Sequence, residues 1–181
     1  MRLVLAGAIA TAALAPASAF AVDYLSAEQA ARLMFPDADH FDEQHVALDA
    51  AAIRSIGGHG IGSLKAVWPV QVARRGGQAL GYVVRDEVIG KFERISFAVG
   101  FGLDGAIRQV EVLSYRESHG GEVRLPAWRR QFVGKTSASA LRVGDDIANI
   151  SGATLSCTHL TDGVHRITAM VAFAKTARLL E

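Results

Sequence analysis

Residues 95–115 constrain the fold of this chain more than any other stretch. Ile95, Phe97, Val99 and Phe101 alternate with small or polar residues, the period of two that gives a strand one apolar face. Asp104-Gly105 follows, a pair that tolerates the positive φ of a tight turn. Ala106 to Tyr115 then returns as the partner strand. The stretch predicts a β-hairpin, and a hairpin commits the chain to an antiparallel sheet. Gly100-Phe101-Gly102-Leu103-Asp104-Gly105 matches GxGxxG letter for letter. A dinucleotide fingerprint must leave a strand and enter a helix, whereas this match joins two strands, so it is accidental.

The flanking pattern adds helices. Ser26 and Gln29 have capping-box spacing, and Ala30, Leu33 and Met34 fall on one helical face behind them. Pro36 ends that helix, because proline lacks an amide donor and disfavours helix in the residue before it. The acidic run from Pro36 to Glu43 lacks the glycine and distal glutamate of a calcium loop and reads as a solvated turn. Gly57 to Gly62 marks a flexible connection. Ala66 to Val72 has strand composition, with Pro69 placing it at a sheet edge. Gly76-Gly77 turns the chain into a strand from Ala79 to Val84. Leu160, Val164, Ile167 and Val171 recur at spacings of four, three and four, an amphipathic helix weakened by Gly163 by about 1 kcal/mol. The expected class is α+β, a single domain with a twisted antiparallel sheet flanked by helices.

Arg2, the apolar run Leu3 to Leu14 and two A-x-A sites ending at Ala19 and Ala21 read as a cleaved secretory signal over residues 1–21. The run is shorter than the roughly 20 residues needed to span a bilayer. No later segment is long and apolar enough to do so, which predicts no stable membrane insertion after cleavage. Loss of the leader removes Arg2 from 19 basic residues and none of the 18 acidic ones. The resulting near-zero charge argues against nucleic acid, whose binding relies on phosphate neutralisation. The single cysteine, Cys157, has no partner for an internal disulfide and reads as a small packed residue. Stability must come from packing.

Ile150-Ser151-Gly152-Ala153-Thr154-Leu155-Ser156 carries the chemistry. Gly152 and Ala153 are small enough for a bulky phosphate ester to approach the backbone. Thr154 stands just before the predicted helix, where unpaired amides and the helix dipole favour an anion. The bland alternative is that Ser151 and Thr154 are only turn and capping residues. The stretch resembles the S/T-G-A-T flavinylation motif of the FMN-binding domain family. That family includes extracytoplasmic flavoprotein subunits of the sodium-translocating NADH:quinone reductase and of Rnf-type complexes.

Upstream, Gly81 to Lys91 is similar to the family's strand and glycine turn, and Glu117 to Glu122 to its His-x-E-T-P-G-L-G loop in altered form. Trp128, Phe132, Gly134 and Lys135 match W-x-x-x-F-x-G-K. The resemblance covers roughly residues 80–170. Two departures stand out: Gly120-Gly121-Glu122-Val123-Arg124 replaces the Glu-Thr-Pro-Gly form, and Ala148 occupies the place of an acid, with Asp145 and Asp146 further upstream.

The resemblance implies FMN held by a phosphoester on Thr154, with Ser151, Gly152, Ala153, Leu155, Ser156 and Glu122 around it. It divides the precursor into a leader (1–21), an N-terminal helical segment with the first strands (22–79) and the FMN-binding domain (80–175). A threonine hydroxyl is a weak nucleophile, so attachment requires an FAD:protein FMN transferase as partner. The setting is periplasmic or otherwise extracytoplasmic, and the role an electron relay between a membrane redox partner and another acceptor. Two alternatives remain open: a flavin-dependent reductase with its own substrate, and a noncovalent FMN-binding or structural module.

Other constellations are weaker. No histidines stand at i, i+4 on a helix, so zinc ligation from one helix face is unsupported. His119, near Glu117 and Glu122, reads as a flavin-lining or metal-binding residue or a solvated loop residue. Arg124, Arg129 and Arg130 read as a steering surface for flavin phosphate or an acidic partner, or as an ordinary exposed face. Trp128 reads as a ring-stacking or a core aromatic.

Overall fold

The computed structural model describes residues 22–57 and 63–180. The expected leader and most of the Gly57–Gly62 connection lie outside those residues. In chain order the elements are β1 (Val22–Asp23), α1 (Ala27–Met34), β2 (His40–Ala47), α2 (Ala50–Gly57), β3 (Val67–Arg75), β4 (Gln78–Ile89), β5 (Arg94–Gly102) and β6 (Ile107–Tyr115). Two 3-10 turns, Gly121–Arg124 and Arg130–Phe132, flank α3 (Pro126–Arg129), and α4 (Thr154–Thr176) closes the fold. The strands form one antiparallel sheet in the order β1-β6-β5-β4-β3-β2. The α+β expectation of an antiparallel sheet with packed helices holds.

The hairpin read from residues 95–115 is β5 and β6, turned at Gly105 with φ +87°. Ile95, Phe97, Val99 and Phe101 are all fully buried. They face α4, whose Leu160, Val164, Ile167 and Val171 are also fully buried. Burying each such side chain stabilises by about 1.5–3 kcal/mol, so this helix–sheet interface is the main core. A smaller core lies on the other face, where Ala30, Ala31, Met34 and Phe35 pack on Val83 and Ala98. A Cβ on Gly100 would sit 2.9 Å from Met34 Sδ, and one on Gly81 would sit 2.6 Å from Phe35 Cζ. The two glycines thus let α1 lie close to the sheet.

The Ser26–Gln29 capping box is present, and α1 stops at Met34 with Phe35 as its C-cap. Its buried face is Ala30, Ala31 and Met34, not the expected Leu33, which is half exposed. A stripe three or four residues wide leaves one flank in solvent, and Ala31 is the better fit to the glycine-paved sheet. Pro69 does not mark an edge: β3 lies between β2 and β4. The β3–β4 ladder begins only at Val70 opposite Val84, so Pro69 sits just outside it and needs no amide there. The expected acidic turn is shorter than read. From His40 onward it is β2, held to β3 by Asp42, which accepts from Arg74 Nε at 2.6 Å.

Gly163 has a positive reason to be glycine inside α4. A Cβ there would meet Phe97 Cζ at 2.7 Å and Val88 Cγ1 at 2.9 Å, both packed into the main core. We therefore predict that Gly163→Ala destabilises the protein, because overpacking costs about 1–3 kcal/mol and exceeds the about 1 kcal/mol gained in helix propensity. Urea melts should show a lowered midpoint. A midpoint that rose would mean that the helix–sheet contact yields freely.

Candidate functional site

Three segments converge at one end of the sheet: the β4–β5 tip, the loop after β6 and the start of α4. Between them is a cleft of about 300 Å³ lined by Lys91 and Phe92 from the tip, Glu117 to His119 from the loop, and Gly152 to Ser156 from the helix start. Thr154 is exposed and is the first residue of α4, one position further in than expected. Ala153 is the N-cap and no side chain caps this end. The first-turn amides of a helix have no intrahelical acceptor, so they stand open to an anion beside the Thr154 hydroxyl. Gly152 has φ +82° and open space where a side chain would be. Asn149 Nδ2 donates to Thr154 Oγ1 at 3.1 Å, which orients the hydroxyl.

Ser156 has a different position from Thr154. Its side chain is buried, with Oγ 2.9 Å from Tyr115 Oη. Tyr115 Oη donates to the His119 carbonyl, so Ser156 donates to Tyr115. This chain ties α4 to β6 and to the loop that follows it. Burial raises the Tyr115 phenol above its ordinary value, with the Ser156 hydrogen bond opposing, so it stays a neutral donor. Cys157 is fully buried and its thiol is likewise pushed up by burial, consistent with a packed residue. His159 is not its base. Its Nδ1 donates to the carbonyls of Ile89 at 2.6 Å and Gly90 at 3.0 Å, fastening α4 to the β4–β5 tip.

The cleft gathers Gly152, Ala153, Thr154, Leu155 and Ser156 from the motif, with Ser151 exposed at its edge. It does not gather Glu122, which is exposed on the first 3-10 turn and absent from the lining. Glu117 takes the carboxylate position instead, accepting from the amides of Phe92 at 2.6 Å and Glu93 at 3.0 Å. His119 lines the cleft with its Nδ1 2.9 Å from Ser118 Oγ. Among the described residues no three of His, Cys, Asp and Glu gather as a metal site.

Arg129 and Arg124 depart from the exposed placement expected of them, whereas Trp128 takes its core alternative. Arg129 is no steering residue: its guanidinium is buried against Glu111 and the Val110 carbonyl, covering the edge of β6. Arg124 lies 4.2 Å over the Tyr24 ring and donates to the Gly121 carbonyl. Of the three arginines only Arg130 is exposed. Trp128 is a core residue, edge-on to Phe132, and its Nε1 donates to the Ala148 carbonyl at 2.7 Å. Gln131 Oε1 accepts from the Ala148 amide. The residue standing where an acid was expected thus has both backbone groups held. Asp146 is committed elsewhere, to Lys135 Nζ at 2.9 Å and the Arg142 amide.

Sequence reasoning missed Tyr115, Asn149 and Phe92 as parts of this site. Tyr115 and Ser156 are far apart in the chain, and only folding joins them. Asn149, close to Thr154 in sequence, is the one residue whose capping-type side chain could have signalled a local contact.

Glu117 gives a test of how the cleft is held. Burial acts to raise its carboxyl, but the amides of Glu93, Phe92 and Lys91 and the Lys91 ammonium outweigh it and hold the group below the ordinary range. A lowered folded pKa adds stability that is complete above the ordinary value of 4.5 and is lost as pH falls through the folded value. Glu117→Gln should therefore cost about 1 kcal/mol at neutral pH, the difference between a charge-assisted and a neutral acceptor. That cost should vanish on acidification. Denaturant melts of both proteins across this range check it, and a cost independent of pH would assign the effect to packing.

The model of the FMN-binding domain matches residues 90–169, from the β4–β5 tip to the middle of α4, and so encloses every residue lining the cleft. The crystal structure of Shewanella oneidensis NqrC superposes with a TM-score of 0.56 at 16% identity, covering 82% of this chain and 88% of that one. This is a likeness of fold. No curated protein matches the sequence. The motif, its helix start and the enclosing cleft all lie inside the segment that matches the FMN-binding domain family.

Proposed function

We propose that this chain is an exported flavoprotein carrying FMN by a phosphoester on Thr154, and that it relays electrons between a membrane redox partner and another acceptor. The observation that carries this reading is the exposed Thr154 hydroxyl at an uncapped helix start inside the cleft of an FMN-binding domain. The residues present fit the group. The open first-turn amides suit a phosphodiester, Gly152 leaves the approach clear, and Phe92 and Leu155 supply apolar walls. In attachment, Thr154 Oγ bonds to the FMN phosphorus of FAD, the pyrophosphate P–O bond breaks, AMP leaves and the threonine proton is released. A dedicated transferase provides the activation that a threonine lacks.

FMN, once bound, supplies one- and two-electron chemistry. The chain supplies tethering, which keeps the flavin's effective concentration high outside the cytoplasm regardless of noncovalent affinity. A relay is favoured over a reductase by size. A cleft of about 300 Å³ is at the lower end for ligand sites, a size that suits one ring system. The exposure of Thr154 likewise favours a modified hydroxyl over a purely structural one.

Intact mass of the protein from its native host tests attachment and export together. The expected species lacks residues 1–19 or 1–21 and is heavier by FMN less one water. Thr154→Ala should remove the flavin without unfolding the protein, and Cys157→Ser should keep it. In-gel fluorescence persisting under denaturation in the Thr154 variant would place the attachment elsewhere.

The relay role predicts that purified, loaded protein exchanges electrons with small redox dyes yet oxidises NADH very slowly. Membranes containing the partner should restore its reduction. Rapid NADH turnover by the isolated protein would favour the reductase.

A further inference from the structure

Phe92 is an unusual residue to find where it is. It stands at the tip of the β4–β5 hairpin, is 75% exposed and lines the Thr154 cleft. An exposed large aromatic in contact with a site is more informative than an isolated surface Leu. Its backbone is firmly held. Glu117 accepts from the amides of Phe92 and Glu93, the Gly90 amide donates to the Glu93 carbonyl at 2.8 Å, and His159 donates to Ile89 and Gly90. A Cβ on Gly90 would stand 2.5 Å from Glu117 Oε1, so the tip closes on the carboxylate only because residue 90 is glycine. Three separate elements therefore converge to hold one largely exposed apolar ring at the cleft, with the Lys91 ammonium 4.9 Å from its centroid.

We propose that Phe92 is the aromatic wall against which the isoalloxazine of Thr154-bound FMN rests, with Glu117 and His159 as the positioning residues that aim it. This rests on the reading of Thr154 as the attachment site. The tether supplies the occupant: a planar aromatic system anchored on the opposite side of the same cleft, with Leu155 beside the anchor. Offset stacking on an aromatic ring is worth about 0.5–1.5 kcal/mol beyond area burial, enough to orient a group already held nearby. His159 is five residues along α4 from Thr154, so the attachment point and the hairpin tip are fastened to the same helix.

The test uses the mature full-length protein loaded by transferase and FAD, with covalent flavin quantified on denaturing gels so that variants are compared at equal loading. Tryptophan quenches excited flavin by electron transfer only near contact, whereas phenylalanine does not. Phe92→Trp should therefore lower flavin emission several-fold, and Phe92→Ala should lower its anisotropy and increase quenching by iodide. In the Phe92→Trp background, Glu117→Ala should restore emission while Glu117→Gln, which still accepts both amides, should not, with unchanged circular dichroism in both. Unaltered emission in Phe92→Trp together with unaltered iodide access in Phe92→Ala would overturn the proposal and reassign Phe92 to partner docking. Absence of covalent flavin from the wild-type protein would instead overturn the Thr154 reading, and this proposal with it.

Discussion

The seating of α4 on the sheet depends on a buried ion pair acting together with a close backbone contact. Asp86, on β4, faces the helix with its side chain almost fully buried, and its Oδ2 accepts from Arg166 Nη2 at 2.5 Å and Nε at 3.1 Å. Lys65 Nζ stands 2.6 Å from the other oxygen. A carboxylate this deep is costly unless paired, so sliding α4 along its axis would strand a charge. Three residues earlier, Gly163 admits Phe97 and Val88, and a slide would also bring a side chain onto them. Electrostatics and sterics enforce one axial setting, which decides where the first turn of α4, and hence Thr154, projects.

From that setting the cleft assembles by short hydrogen-bonded links. Ser156, Tyr115 and the His119 carbonyl join α4 to the loop after β6. His159 joins α4 to the β4–β5 tip, and Glu117 joins that tip to the same loop. Each wall is fastened to the other two. Gly120 completes the junction: its φ is +84°, and a Cβ would stand 2.7 Å from Tyr115 Oη and 3.0 Å from Ala153 Cβ. Glycine is required there both by conformation and by contact with the motif.

The departures from the family pattern acquire a physical meaning in this light. The altered loop keeps Glu117 as a latch and Gly120 as the tight turn, the two functions the cleft needs from it. The missing acid at Ala148 is offset structurally, because Trp128 and Gln131 hold that residue's backbone from the α3 side. The approach to Ser151 is thus set by neutral hydrogen bonds, and the segment before it by Asp146 with Lys135.

Local pattern alone determined much of this protein. The alternation at Ile95 to Phe101 and the Asp104-Gly105 turn specified the central hairpin, because a period of two leaves a buried strand no other register. The stripe from Leu160 to Val171 specified α4, and the run Gly152-Ala153-Thr154 marked one wall of the cleft. β2 was not legible, since an edge strand with polar residues on both faces carries no apolar alternation. Pro69 misled because its effect depends on where the neighbouring ladder begins, a property of β4. Tertiary structure alone decided that Glu117 and not Glu122 enters the cleft, that Arg129 is buried against Glu111, and that Phe92 lines the same cleft as Thr154. Those outcomes depend on which segments meet across the sheet, and contacts between distant residues leave no period or spacing in the sequence.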